Sequence, residues 1–277
     1  CNKIIPTGIL SRMGKSCIAL LTDFGTKDYF VASLKGVILS INPECAIVDI
    51  SHEVPEYDLT AAAFVLWACY RFFPGGTIFL TVVDPGVGSE RRILLARSQR
   101  YYFIAPDNGV LSLVFKQEDP EIMELNGREH LLTDRRSSFE GRDKMAPLAA
   151  WLSLGVSPVE LGRPAGNPVR LELPEPQLRN QEIQGQIVYR DRFGNLITNL
   201  SQELISRFLT RNRGANLILL AGKKKISEMA ASYSSSGSDR PFFLINSLGL
   251  LEIAVYRKPA FEVLGLEPGD PVILKAN

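Results

Sequence analysis

Strand-like and helix-like periodicities alternate along the first part of this chain, and that alternation leaves few folds open. Apolar runs of strand character, CIALLTD, AIVDIS and TIFLTVVD, are separated by YFVASLKGVILSIN and DLTAAAFVLWACYRFF, whose apolar residues fall at helical spacing. In the first helical stretch Phe30, Leu34, Val37, Ile38 and Ile41 share one face, and Pro43 follows the end of the pattern. Strand, helix, strand in this order is the pattern of βαβ units and predicts a largely parallel sheet. RILLAR and YYFIAP add strand candidates, and a further helix is expected from Lys144 to Leu154, closed by Gly155.

The pattern then changes. RPAGNPVRLELPEPQLRNQEIQGQ places four prolines in a polar stretch that reads as extended and exposed. Beyond it QIVYRD, LITNL, NLILLAG, FFLIN, LLEIAVY and PVILKA are short β-type runs, with one convincing helix, SQELISRFL, capped by Ser201. The fold class is therefore α/β: an N-terminal α/β domain over residues 13–165, a linker over 166–182, and a smaller all-β, barrel-like domain over 183–277. Ser232 to Asp239, SYSSSGSD, reads as a flexible loop, and residues 1–12, ahead of Met13, as an extension.

Charge is nearly balanced, 31 Lys plus Arg against 30 Asp plus Glu, with no basic stripe, so nucleic acid is a poor partner and a small ligand a better one. Apolar stretches break well short of a membrane span. The four cysteines, Cys1, Cys17, Cys45 and Cys69, show no metal-ligand spacing, which suits a reduced, cytoplasmic protein. His52 and His130 are too few and too scattered for a zinc cluster. DFG at Asp23 lacks the other kinase motifs, and GVG at Gly86 lacks both the third glycine of a dinucleotide fingerprint and the GK[ST] of a phosphate loop.

What remains is a set of acids at strand ends before glycine turns: Asp23 in LLTDFG, Asp84 in TVVDPGVGSERR and Asp191 in VYRDRFGN. In open α/β sheets ligands sit beyond the carboxyl ends of strands, so Asp23 and Asp84 could face one crevice, with Arg91 brought back across the Pro-Gly turn. Any one of these aspartates taken alone reads more simply as a turn cap.

Taken together, LTDFGTKDYFVASLKG, DISHEVPEYDL, FFPGGTIFLTVVDPGVGSERR, YFIAPDNGVLS, FEGRDKMAPLAA, DRFGNLITN and INSLGLLEIAV resemble, in order and over nearly the whole chain, the S-adenosyl-L-methionine (SAM) hydroxide adenosyltransferases, relatives of the SAM-dependent fluorinase and chlorinase. The resemblance implies that residues 13–165 bind SAM, that SAM and water give adenosine and L-methionine with no cofactor, and that the protein is a homotrimer with active sites at subunit interfaces. It implies Asp23 on the ribose hydroxyls, with Tyr57 near the ribose, Asn195 at the adenine, Ser247 and Asp191 at the methionine end, and Phe193 as a further substrate-binding residue. Asp84 and Arg91 match the first two members of the family's Asp, Arg, His catalytic set.

At the third position the chain departs from the family, carrying Glu140 in FEGRD where the resemblance implies histidine. A neutral imidazole can both donate and accept, whereas an ionised glutamate only accepts. Two readings follow: a hydrolase with Glu140 as an alternative base or orienting acceptor, or a protein that binds SAM or adenosine without turning it over. A halogenase fits less well, because an anionic Asp84 would repel halide.

Overall fold

The computed structural model describes residues 16–277 apart from 136, 180 and 238, so the expected extension over residues 1–12 lies outside the described residues. The chain forms two compact units that part between Leu171 and Glu172, in the proline-rich stretch. Among the described residues no helix is long and apolar enough to cross a membrane.

The first unit carries strands β1 (Cys17–Thr22), β2 (Ala46–Ser51), β3 (Ile78–Val82), β4 (Ile93–Arg97), β5 (Tyr102–Pro106), β6 (Glu121–Leu125) and β7 (Gly162–Pro164). Its helices are α1 (Phe30–Ile41), α2 (Leu59–Cys69), α3 (Ser112–Phe115), α4 (Ala146–Ser153) and α5 (Pro158–Leu161). The seven strands form one sheet in the order β2-β1-β3-β5-β4-β6-β7. Pairings of β2, β1, β3 and β5 are parallel, as the βαβ pattern requires. From β5 outward the sheet turns antiparallel, because the link from β4 to β5 is a short hairpin that leaves no room for a crossover helix. The sheet is thus mixed, with its parallel half first in the chain.

Both faces of that parallel half are covered. Ile18, Leu20, Ile78 and Leu80 point to the side packed with Leu34, Ile38, Leu148 and Ala149 from α1 and α4. The alternate face carries Phe79 and Phe103, stacked at 5.1 Å, with Tyr70 and Tyr101 edge-on against Phe103 and Phe79 respectively. The helix expected from Lys144 begins earlier and in two parts, a π-helical turn at Gly141–Met145 leading into α4. The extra residue of a π-turn re-aims the side chains ahead of a helix, and such turns recur at functional sites.

The second unit contains β8 (Gln177–Leu178), β9 (Glu182–Arg190), β10 (Leu196–Ser201), β11 (Leu217–Ala221), β12 (Lys224–Ile226), β13 (Pro241–Ile245), β14 (Leu250–Val255) and β15 (Pro271–Ala276), with helices α6 (Gln202–Arg211), α7 (Tyr233–Ser236) and α8 (Ala260–Leu264). Its strands follow the order β12-β11-β15-β9-β10-β14-β13, with β8 on β9, in a nearly closed barrel-like sheet of antiparallel pairs. Ile183, Leu196, Phe208, Leu219, Phe243, Ile253 and Leu274 fill its core. Ser201 caps α6 as the sequence suggests, accepting the Leu204 N–H at 3.2 Å. The Ser232–Asp239 segment is not loop throughout: Ser232 and Ser235 form a reciprocal cap that winds Tyr233–Ser236 into a helical turn.

Leu80 is fully buried at the centre of the first sheet. Leu80→Ala is expected to cost about 2–5 kcal/mol of unfolding free energy, read by denaturant titration. A loss below about 1 kcal/mol would mean that this strand does not carry the core.

Candidate active-site residues

Parallel pairing of β1 with β3 puts Thr22 beside Val82, so the chain leaves both strands at the same edge, with Asp23 just beyond one and Asp84 just beyond the other. At the end of β1, the Thr22 hydroxyl accepts the Phe24 N–H at 3.3 Å and lies 2.9 Å from His52 Nδ1, while the Gly25 N–H donates to the His52 carbonyl at 2.7 Å. His52, whose sequence context suggested no role, therefore anchors the turn that presents Asp23. On its far side His52 Nε2 pairs with Asp49 Oδ1 at 3.1 Å.

Asp23 accepts the backbone N–H of Tyr57 at 3.0 Å. Tyr57 reaches it from a left-handed conformation, φ 62°, unusual for a non-glycine residue, and its ring is left 66% exposed. Asp58, next in the chain, caps α2 by accepting the Ala61 N–H at 2.9 Å and so fixes this stretch from the other end. Partial burial pushes the Asp23 carboxyl upward, the Tyr57 N–H pulls it back, and the negative field of Asp84 raises it again. Asp23 therefore lies within the field of Asp84.

Asp84 is buried, its side chain 6% exposed, and bound on two sides. Its Oδ1 accepts the Gly86 N–H at 3.2 Å and Arg91 Nε at 2.8 Å, while Oδ2 accepts Nε at 2.6 Å and also the Nη2 N–H of the same guanidinium. The Pro85–Gly86 turn doubles the chain back as expected. Arg91 does not stop at Asp84: its Nη1 stands 2.7 Å from Glu140 Oε2. Glu140 in turn accepts Lys144 Nζ at 2.5 Å through Oε1. Gly141 makes this approach possible, because a Cβ there would lie 2.9 Å from Val82 Cγ1 at the end of β3. Burial acts to raise the Glu140 carboxyl, but the Lys144 hydrogen bond and the Arg91 charge outweigh it and hold the carboxyl below its ordinary range. Sequence reasoning missed Lys144; its position four residues after Glu140 on a helical stretch was the available signal.

The remaining predicted residues lie in the second unit. Asp191 organises the turn between β9 and β10, its carboxylate accepting the N–H groups of Phe193 and Asn195 at 2.9 and 2.8 Å and Asn195 Nδ2 at 2.9 Å. Asn195 is thereby held in place, 6% exposed, with one amide N–H committed to Asp191. Phe193 projects outward, 79% exposed. Ser247 is exposed on the Asn246–Gly249 turn between β13 and β14. The side chain of Asn246 shapes that turn, accepting the Leu248 and Leu250 N–H groups and donating to Glu252 at 3.0 Å. Glu252, also missed from sequence, is 2% exposed and accepts the Tyr233 hydroxyl at 2.7 Å. Burial pushes its carboxyl up; those two donors partly offset this and the Asp191 charge adds to it. Other sequence readings resolve simply: His130 packs against Trp151 at 5.4 Å, and Cys17, Cys45 and Cys69 are free thiols.

Residues 18–162 match the family described as the SAM hydroxide adenosyltransferase N-terminal domain, and residues 185–273 its C-terminal domain. A Thermus thermophilus protein named (R)-S-adenosyl-L-methionine hydrolase is 33% identical over 271 residues, 93% of this chain and 98% of that protein. The protein of the same name from Salinispora tropica is 31% identical over 265 residues, 94% and 98% respectively. Fluorinases at 25 to 30% identity are also similar. Among solved structures, an uncharacterised conserved protein from Thermotoga maritima superposes with a TM-score of 0.86 at 34% identity, covering 93% of this chain and 99% of its own.

Because the folded-state pKa of Glu140 lies below its ordinary value of 4.5, its ion pairs stabilise the fold fully above that pH and are lost as pH falls through the lower, folded value. Thermal melts from about pH 5 to about pH 3 should therefore fall more steeply for the parent than for Glu140→Gln. Equal slopes would show that the carboxylate does not ionise against Arg91 and Lys144. A second expectation concerns Gly194, at φ +82° with Pro259 Cβ 2.5 Å from where its own Cβ would stand. Gly194→Ala should cost about 1–3 kcal/mol in denaturant titration, since the turn holding Asn195 cannot give way without moving Pro259.

Proposed function

Since the chain belongs to the SAM hydroxide adenosyltransferase family, we propose that it hydrolyses SAM to adenosine and L-methionine by in-line attack of water on C5′. The observation that carries this reading is the guanidinium of Arg91 shared by two buried carboxylates, Asp84 and Glu140, beside Asp23 at the edge of the parallel strands.

The chemistry asks little of the protein beyond placement. A sulfonium leaves as a neutral thioether, so no acid is needed at the leaving group, and the positive sulfur makes C5′ electrophilic without any cofactor. Water is the difficult partner. It must be aimed opposite sulfur and lose a proton as the C–O bond forms. The protonated alcohol formed at C5′ is a strong acid, so a carboxylate of ordinary or lowered basicity suffices to take that proton. Asp84 is suited to this, with Arg91 and the Gly86 N–H fixing its direction. In this reading Glu140 replaces a neutral partner of Arg91 with a charged one, and the arrangement still turns SAM over.

Asp23 suits the ribose, since an ionised carboxylate can accept both hydroxyls of a vicinal diol, and Tyr57 stands beside it. Phe193 and Asn195 would take the adenine, the ring as an apolar lid and the amide along the base edge; Ser247 and Asp191 would serve the methionine end. The assembly is a homotrimer with active sites at subunit interfaces, and the free thiols suit a cytoplasmic enzyme.

Purified protein incubated with SAM should release adenosine and methionine in equal amounts, followed by chromatography, with no 5′-halogenated nucleoside when chloride or fluoride is added. Asp84→Asn should lower kcat/KM by at least about 100-fold while SAM still binds. Binding of SAM without adenosine above a buffer blank would instead make the protein a SAM sensor.

A further inference from the structure

Asp84, Arg91, Glu140 and Lys144 form a row of ionised groups alternating in sign, linked at each step by an ion pair. Glu140 is the most deeply buried member, 2% exposed, and Lys144 is 17% exposed. Among the described residues, Arg91 and Lys144 are the cations within ion-pair distance of Glu140. Neighbouring basic residues are committed elsewhere: Arg92 to Asp107, and Arg142 to Asp143. Without Lys144 the row would carry a net negative charge, next to a further carboxylate at Asp23 that already feels Asp84. A buried charge that loses its partner is costly, and the side chain moves or neutralises to escape that cost.

Building on the hydrolase reading, we propose that Lys144 is a positioning residue for SAM hydrolysis. Its ammonium clamps one oxygen of Glu140 so that the other meets Arg91, and through Arg91 it sets the direction in which Asp84 faces the attacking water. The π-turn at Gly141–Met145 brings Lys144 under Glu140, and the glycine at 141 lets that turn approach β3 closely enough for Glu140 to reach Arg91. One carboxylate thus fills the place beside Arg91 without spoiling the charge balance of the site.

Glu140 and Lys144 border a cavity of about 250 Å³ whose other charged walls are Glu90, Arg91 and Arg92 from the turn before β4, Glu124 from β6, and Arg128 and Asp134 from the segment that follows. Removing the Lys144 charge would act on these groups as well, so the site-specific titration of Glu140 below is what separates its response from theirs. Loss of the ammonium removes an influence that lowers the Glu140 carboxyl and leaves burial, which raises it. Glu140 would then take up its proton at higher pH, and the acid limb of the rate profile would move upward.

Lys144→Met and Lys144→Arg in the full chain test this. Lys144→Met should lower kcat at least about tenfold, leave the KM for SAM within about twofold, and move the acid limb of kcat to higher pH, whereas Lys144→Arg should keep most of the rate and the parent profile. A readout independent of turnover is the titration of Glu140 by NMR of side-chain 13C-labelled glutamate, assigned by loss of the signal in Glu140→Gln; it should shift upward in Lys144→Met. An unchanged profile and titration in Lys144→Met would overturn the proposal, as would a loss of rate that Lys144→Arg fails to recover. If the parent protein released no adenosine, the hydrolase reading would fall, and the Glu140 titration alone would decide whether Lys144 governs that carboxylate.

Discussion

A single guanidinium held between two buried carboxylates organises the candidate site. Arg91 grips Asp84 through two nitrogens and reaches Glu140 with the third. Burying a guanidinium is costly without anionic partners, and the two carboxylates supply them. The turn after β3 and the π-turn before α4 are thus fixed to one another by electrostatics as well as by packing. The planar fork of arginine suits this task, because it meets separate acceptors along different edges at once, which a lysine ammonium does not do with comparable directionality.

The two halves of the first sheet divide the labour. Its parallel half, buried on both faces, ends in a rigid edge from which Asp23 and Asp84 project at adjacent positions. Its antiparallel half, β4 to β7, contributes little chemistry directly, but β4 begins just after Arg91 and Arg92 and so determines where the returning chain must run. In the second unit the polar residues sit on turns between strands, and carboxylate acceptors hold those turns: Asp191 gathers the N–H groups of its own turn, and the buried Glu252 supports Asn246 from β14.

Much of this was legible in the sequence, for reasons that differ by residue. Helical and strand periodicities reveal burial, so the βαβ half and the β-rich second unit could be read directly. The antiparallel half of the first sheet was harder, since RILLAR and YYFIAP look alike whether they pair parallel or antiparallel and only the short link between them decides. Asp23, Asp84 and Arg91 stood out because they flank glycine turns at strand ends. His52 and Glu252 did not, because each acts through a partner distant in sequence or on the opposite side of a turn, whereas Lys144 carried only the weak signal of its spacing four residues after Glu140. The π-turn was equally hidden: no local pattern in GRDKM distinguishes it from an ordinary helical turn, and the close approach of Gly141 to Val82 is a tertiary contact.

Tyr57 meets Asp23 through its main chain, leaving the ring outside the hydrogen bond that fixes the carboxylate. Evolution, or an engineer, can therefore exchange the side chain there for one of different size or polarity and leave the acid where it is, provided the new residue accepts the left-handed backbone. Asparagine and glycine meet that condition most easily, so what this side chain does is mechanically uncoupled from the anchoring of the acid.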